Sequence, residues 1–260
     1  MTKTVMQPEI SLVMTVYNRE RFLSEAIESV LTQTLSDFEL VIWDDGSTDS
    51  SLEIARSYAE KDNRIRLIEA EHKGRVSSLV SAIAESSAPF LGWVDSDDLL
   101  SPTVLEETSA VLAAHPEVGL VYTDYIVIDQ DGKARGYGRR CRIPYSKERL
   151  LLDLMTFHFR LMRRSVFDQA GGINPSFEMA MDYDLCLRLS EATEARHIRK
   201  PLYRYRNHRE SLSSSRRVEQ MHYAKRAISE ALERRGLADQ FEVDLQIRGR
   251  FSLKRRHPDG

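Results

Sequence analysis

The sequence predicts an α/β fold in which a mainly parallel sheet is covered by helices. Two observations predict it. In the first hundred residues, four short apolar runs are separated by three stretches of helical spacing. Polar clusters stand at the carboxyl ends of these runs: Tyr17-Asn18, Asp44-Asp45-Gly46 and Asp95-Ser96-Asp97-Asp98. Strands buried on both faces read as continuous apolar runs. Open sheets of this kind bind ligands beyond the carboxyl ends of their strands.

The elements follow in order. Ile10-Ser11-Leu12-Val13-Met14-Thr15-Val16 is the first buried strand. Phe22, Leu23, Ala26, Ile27, Val30 and Leu31 then repeat at helical spacing. Phe38 to Trp43 is the second strand, and Leu52, Ile54, Ala55 and Tyr58 mark the second helix. Ile65 to Ile68 is the third strand, and Val76 to Ala84 is a helix rich in small residues. Phe90 to Val94 is the fourth strand and runs straight into the acidic cluster. Leu105 to Ala114 reads as a helix stopped by Pro116, and Val118 to Ile128 as a strand closed by the turn Asp131-Gly132. Arg135 to Pro144 is basic and poorly periodic, which predicts a mobile loop. Residues 164–170 and 180–192 read as helices around Gly171-Gly172, Leu202 to Arg206 as a last strand, and 216–235 as a final helix.

The 260 residues fit one domain with an elaborated second half. No run approaches the ~20 apolar residues that span a bilayer. The N-terminus has no basic stretch followed by an apolar core, so no secretory leader is expected. Cys141 and Cys186 are the only cysteines, without metal-type spacing, which fits a reduced, cytoplasmic protein. The net charge of −3 hides an asymmetry: residues 196–260 carry 17 Lys/Arg against 8 Asp/Glu. A basic tail on an acidic body suits nucleic acid, an anionic membrane surface or simply a solvated helical face.

Several residues carry chemistry. Asp95 and Asp97 alternate on an extended segment, so they can share one ligand. Three carboxylates this close repel one another unless a cation or protons intervene. Hard oxygen ligands suit Mg²⁺ or Mn²⁺, which bind through one or two carboxylates plus substrate phosphates. The same residues also read as a polar turn before the helix opening at Ser101-Pro102. Asp44 can accept a proton from a base or a ribose hydroxyl, or simply shape the turn before the next helix. Tyr17 can stack on a base, Thr15 can hydrogen-bond it, and Arg75 can pair with phosphate. Asp182 and Asp184 favour a helix N-terminus electrostatically. Asp182 is also placed to take a proton from an attacking hydroxyl. His208, among basic neighbours, can bind a metal or a phosphate as a neutral imidazole.

Taken in order, these motifs resemble the inverting family 2 glycosyltransferases with a GT-A fold. The resemblance spans roughly residues 8–215 and rests on Thr15-Val16-Tyr17-Asn18, Asp44 to Asp49, Asp95 to Asp98, Gly171-Gly172-Ile173-Asn174, Met181 to Leu185 and the His208 segment. It implies a Rossmann-like nucleotide-binding half (1–100) merged with an acceptor-binding half (101–215), followed by a basic helical extension (216–260). It implies that Thr15, Tyr17, Asp44, Arg75 and Asp95 surround the nucleotide. Asp95, Asp97 and His208 would meet the metal, Mn²⁺ or Mg²⁺. Gly171, Gly172 and Asp98 would meet donor or acceptor sugar, and Asp182 would be the general base. The loop around 135–144 and the segment after 208 would close over the donor. Met181 stands where the family often has Glu, His72 where Asn is common, and Val80 where Asn is frequent.

The expected partners are a nucleotide-sugar, UDP-type before GDP or dTDP, and a saccharide or lipid-linked acceptor. No nucleic acid is expected, while peripheral membrane contact through the basic C-terminus is. A non-catalytic nucleotide-sugar-binding module on the same fold is the alternative. A sugar nucleotidyltransferase or a dinucleotide-dependent oxidoreductase needs a glycine-rich loop after the first strand. Val16-Tyr17-Asn18-Arg19-Glu20 is not one.

Overall fold

A computed structural model describes residues 7–208 and 216–247. Its first half is the alternation expected. Strands β1 (Ile10–Val16), β2 (Phe38–Asp44), β3 (Ile65–Glu69) and β4 (Phe90–Trp93) alternate with helices α1 (Leu23–Leu31), α2 (Ser51–Ala59) and α3 (Arg75–Ala84). All four strands pair in parallel, β1 lying between β2 and β4 and β3 outside β2. Successive side chains of β1 point to opposite faces, and both faces are covered. Leu12 and Met14 join a core with α1, α2 and the later helix α4 (Val104–Ala114). Val13 joins a second core with α3 and the later helix α6 (Met181–Ala192).

The second half extends the same sheet. After β5 (Leu99–Leu100) and α4 come β6 (Val118–Ile128), β7 (Ala134–Tyr137), β8 (Arg160–Arg163), α5 (Arg164–Gln169), α6, β9 (Glu194–Arg206) and α7 (Arg217–Arg234). The strand order is β3-β2-β1-β4-β8-β6-β9-β5, with β7 on β6. Strand β8 is antiparallel to both β4 and β6, so it stitches the parallel half to the second half.

Three elements differ from expectation. The last strand begins at Glu194, not Leu202. Its first half, EARHIRK, is polar and irregular, and its pairing with β6 is interrupted by register shifts that erase a clean alternation. The stretch expected as a mobile loop at 135–144 contains β7 and a 3-10 turn over Arg139–Arg142. Strand β7 is exposed throughout and held by backbone pairing to β6, so hydrophobic pattern cannot reveal it. Strand β8 carries arginine at both ends and lacked a visible signal.

Helix α7 is packed rather than loose. Ala227 and Ala231 are fully buried in the core shared with α6. Several of its arginines are paired: Arg226 with Glu230, and Arg234 and the following Arg235 with Glu191. No helix among the described residues is long and apolar enough to cross a membrane. The segment just after His208 and the chain end from 248 lie outside the described residues.

Gly92 sets the spacing between β4 and β8. A Cβ there would meet Phe159 Cζ at 2.8 Å and the Arg160 carbonyl at 2.9 Å. One of those atoms is backbone, so the overlap cannot be relieved by a rotamer change. Gly92→Ala should therefore destabilise the protein by about 1–3 kcal/mol, the usual range for overpacking. A lower urea midpoint at unchanged slope is the expected reading.

Candidate active site

Beyond the carboxyl ends of β1, β2 and β4 lies a cleft of about 690 Å³. Thr15 and Tyr17 line it from the end of β1, and Asp45 from the end of β2. Asn18 turns the chain in the left-handed region at φ 52°, which asparagine tolerates better than most residues. Its Oδ1 accepts the Thr48 N–H at 2.8 Å, tying the first polar loop to the second. The Asp45 carboxylate accepts the backbone N–H groups of Lys73 and Gly74 at 2.8 and 3.0 Å, and contacts His72 Nδ1 at 2.9 Å. The His72 ring stacks on Tyr17 with centroids 4.1 Å apart. The loops after β1, β2 and β3 are thus one hydrogen-bonded unit.

The acidic loop after β4 divides its carboxylates among different partners. Asp95 accepts from Arg75 Nη2 at 2.9 Å. Burial raises the Asp95 carboxyl, but the charge of Arg75, with help from Arg160, outweighs it and leaves the group below its ordinary value. Asp97 Oδ2 lies 2.9 Å from His208 Nε2 and 3.6 Å from Arg19 Nε. Asp98 turns the other way. It is fully buried and accepts from the Tyr203 hydroxyl at 2.7 Å and the Arg206 N–H at 2.6 Å. Burial, followed by the charges of Asp97 and Asp95, pushes its carboxyl well above the ordinary value.

The opposite wall comes from the second half. Ala180 adopts φ 58°, a strained conformation for a residue with a Cβ, and turns the chain sharply into α6. Asp182 thereby faces the cleft with its side chain 24% exposed. Arg160, at the start of β8, reaches to 3.6 Å from Asp182 Oδ2. The guanidinium is 2% exposed, donates to the Thr156 carbonyl at 3.1 Å and lies over the Trp93 ring. Burial raises the Asp182 carboxyl, but positive charge led by Arg160 outweighs it. The group therefore sits below its ordinary value and is ionised at neutral pH. His158 is 5% exposed, stacked on Tyr203, with Nε2 3.9 Å from Asp95 Oδ2. Burial, then the charge of Arg160, pushes its imidazole down to about 3. It is neutral at every pH where the fold is expected to work.

Among the described residues no three His, Cys, Asp or Glu side chains converge into a metal cage. A hard divalent ion that also takes phosphate oxygens needs only one or two protein donors. The carboxylate of Asp97 and the imidazole of His208, already in contact, fit that smaller requirement.

Several expected residues come together on the cleft: Thr15, Tyr17, Arg75, Asp95, Asp97 and Asp182. His208 stands against Asp97, its side chain 4% exposed. Three expectations are corrected. Asp44 is shut off from the cleft at 1% exposure and accepts the Ser47 N–H at 3.0 Å, while its neighbour Asp45 lines the wall. Asp98 is wholly buried and cannot meet a sugar. Gly171 and Gly172 lie away from the cleft and close α5, their N–H groups donating to the Asp168 and Phe167 carbonyls at positive φ. Among the cleft residues missed from sequence are Asp45, Arg19, His158 and Arg160. Strand alternation could have separated Asp45 from Asp44, because adjacent residues at a strand end face opposite ways. For His158 and Arg160 the one signal was basic residues inside a short apolar run.

Comparison with known proteins bears on the family and the fold. The family profile described as Glycosyl transferase family 2 matches residues 11–171. The chain is 32% identical over 230 residues to a chondroitin synthase of Escherichia coli, covering 88% of this chain and 33% of that protein. It is 35% identical over 263 residues to the O-antigen biosynthesis protein RfbC of Myxococcus xanthus, covering 95% and 20%. The chain thus spans a third or less of these relatives. Among solved structures, S. aureus TarS 1-349 in complex with UDP-GlcNAc superposes with a TM-score of 0.71 at 19% identity, covering 86% of this chain and 66% of TarS. The mannosyltransferase PcManGT of Pyrobaculum calidifontis, in complex with GDP-Man and Mn²⁺, gives 0.67 at 16% identity, covering 88% and 65%. The shared architecture is the GT-A fold.

The neutral state of His158 has a measurable consequence. Its folded pKa is depressed to about 3 from the ordinary 6.5, so between those values the unfolded chain binds more protons. Its contribution to stability is complete above 6.5 and is lost as pH falls toward 3, with a slope of at most about 1.4 kcal/mol per pH unit. His158→Gln should flatten the pH dependence of the urea midpoint between about pH 4 and about pH 7 relative to wild type.

Proposed function

The chain belongs to glycosyl transferase family 2, and from that premise we propose that it transfers a sugar, with inversion, from a nucleotide-diphosphate donor to a hydroxyl of a saccharide or lipid-linked saccharide. The relatives named as chondroitin synthase and O-antigen biosynthesis protein support polysaccharide or glycoconjugate synthesis as the setting. One observation carries the proposal: Asp182, at the start of α6, lines the same cleft as Asp45, Asp95 and Asp97.

In this reading the base and ribose lie on the Tyr17 side, against the unit formed by Asp45 and His72, with Arg75 next to it. The diphosphate lies toward Asp95 and Asp97, where Arg75 and Arg19 supply positive charge. Asp97 and His208 would hold Mn²⁺ or Mg²⁺, which when bound offsets charge developing on the leaving diphosphate. The acceptor hydroxyl enters beside Asp182. Its proton passes to the Asp182 carboxylate as its oxygen bonds to the anomeric carbon. The bond from that carbon to the diphosphate oxygen breaks on the opposite face, and its electron pair leaves with the nucleotide. A single carboxylate suffices for such a displacement, unlike the carboxyl pair of hydrolytic glycosidases. Arg160 keeps Asp182 ionised and oriented, which matters because buried Met181 offers no polar support.

Two outcomes test this. Asp182→Asn should lower kcat by about 10²–10⁴-fold, the usual contribution of a general base, while nucleotide affinity stays near wild type. Transfer at near-normal rate would refute the role of Asp182. A thermal-shift panel of UDP, GDP and dTDP, with and without Mn²⁺, should show nucleotide stabilisation that the metal increases. A uridine donor is favoured, and the panel decides the base. In Asp97→Ala the increment due to Mn²⁺ should disappear; an equal increment in wild type and variant would remove Asp97 from the metal site.

A further inference from the structure

The stretch from Gly132 to Lys147 holds six basic residues and no acidic one, in a chain whose net charge is −3. Two of these cations are paired, Arg135 with Asp129 and Lys147 with Glu194. Arg139, Arg140 and Arg142, all in the 3-10 turn after β7, take no ion pair or side-chain hydrogen bond among the described residues. Three arginines within four positions repel one another, and a merely solvated face would gain by spreading them. They are instead clustered in one turn, and Arg140 is set against a ring that lines the cleft. Gly138, just before the turn, donates its N–H to the Tyr125 carbonyl at 2.9 Å. The Arg140 guanidinium is half-buried and lies over the Phe157 ring, 4.6 Å from its centroid. Phe157 and Tyr205 both line the cleft, packed edge to face at 5.4 Å. Phe157 also packs on His158, and the charge of Arg140 is among those acting on Asp182.

We propose that Arg140, set over the ring of Phe157 beside Tyr205 and flanked by Arg139 and Arg142, binds an anionic group carried by the acceptor saccharide. This rests on the glycosyl transfer proposed above and names its acceptor class: a glycan bearing a carboxylate or phosphate near its reactive hydroxyl. Phe157 and Tyr205, both lining the cleft, offer apolar surface beside the guanidinium. The guanidinium offers a planar fork matched to carboxylate or phosphate oxygens. The flanking arginines raise the local concentration of such an acceptor and make its capture sensitive to salt. In the reading above the donor diphosphate has cations of its own, Arg75 and Arg19, which pair with Asp95 and Asp97.

The test uses the full chain with UDP, GDP or dTDP present and follows the arginine Nε–H resonances by NMR. D-glucuronate, glucose 6-phosphate and glucose are titrated in turn, and the Arg140 signal is assigned by its loss in Arg140→Gln. A saturable shift of that signal by either anion, and none by glucose, supports the proposal. A response to glucuronate alone identifies a carboxylate acceptor, and a response to glucose 6-phosphate alone a phosphorylated one. Arg140→Gln should weaken the anion by about fivefold, near the ceiling for a solvent-accessible ion pair. Because Arg140 is half-buried, the exposed pair Arg139→Gln and Arg142→Gln serves as a second variant. Equal response to glucose, no response to either anion, or unchanged anion affinity in both variants overturns the proposal. Nucleotide binding is read separately by thermal shift. Nucleotide binding without an anion response removes this inference alone; no nucleotide binding removes the transfer reaction and the acceptor role with it.

Discussion

The site depends on one buried cation. Arg206, 1% exposed, ends β9 and spreads its guanidinium among three segments that are distant in sequence. Its Nε donates to the Asp97 carbonyl at 2.7 Å, Nη2 pairs with Glu25 of α1 at 2.7 Å, and Nη1 reaches the Gln130 carbonyl at 3.1 Å. Its own N–H donates to Asp98 at 2.6 Å. A guanidinium taken out of water is tolerable only when its donors are satisfied in this way. The acidic loop after β4 is therefore held by its backbone and by Asp98, leaving Asp95 and Asp97 to face the cleft.

That division solves an electrostatic problem. Carboxylates so close in sequence cannot all remain charged in a poorly solvated cleft without counter-charge. Asp98 is pushed toward its neutral form, while Asp95 is held ionised by Arg75. Arg160 does the same for Asp182 from the other wall. The cations that permit these carboxylates come from both halves: Arg19 and Arg75 from the parallel half, Arg160 and Arg206 from the second. Strand β8, wedged between β4 and β6, is what brings the halves into register, and the absence of a side chain at Gly92 lets it approach.

The parallel half was legible because its signals are local. Buried strands such as Leu12-Val13-Met14 are apolar on both faces, and helices α1 to α3 repeat at their own period. The second half was less so. Strand β7 buries no apolar side chain, and the first half of β9 is polar with an interrupted register. Neither leaves a hydrophobic period. The same limit applies to the site. Motif order pointed to Tyr17, Arg75, Asp95, Asp97 and Asp182, all of which reach the cleft. Asp44 and Asp98 looked equally suitable, since a carboxylate in a motif does not announce which way it points.

Sequence by itself determined the alternation of strands and helices, the placement of polar clusters at strand ends, and the family. These follow from periodicity and short-range spacing. Tertiary structure decided which carboxylates are open and which are buried, and it brought in His158 and Arg160 from the entry to a strand with little local signal. It also showed Gly171 and Gly172 to be a helix terminus. Exposure, charge compensation and proton affinity are properties of the whole surrounding volume, summed over residues more than a hundred positions apart, as between Asp98 and Arg206. No window along the chain contains that sum.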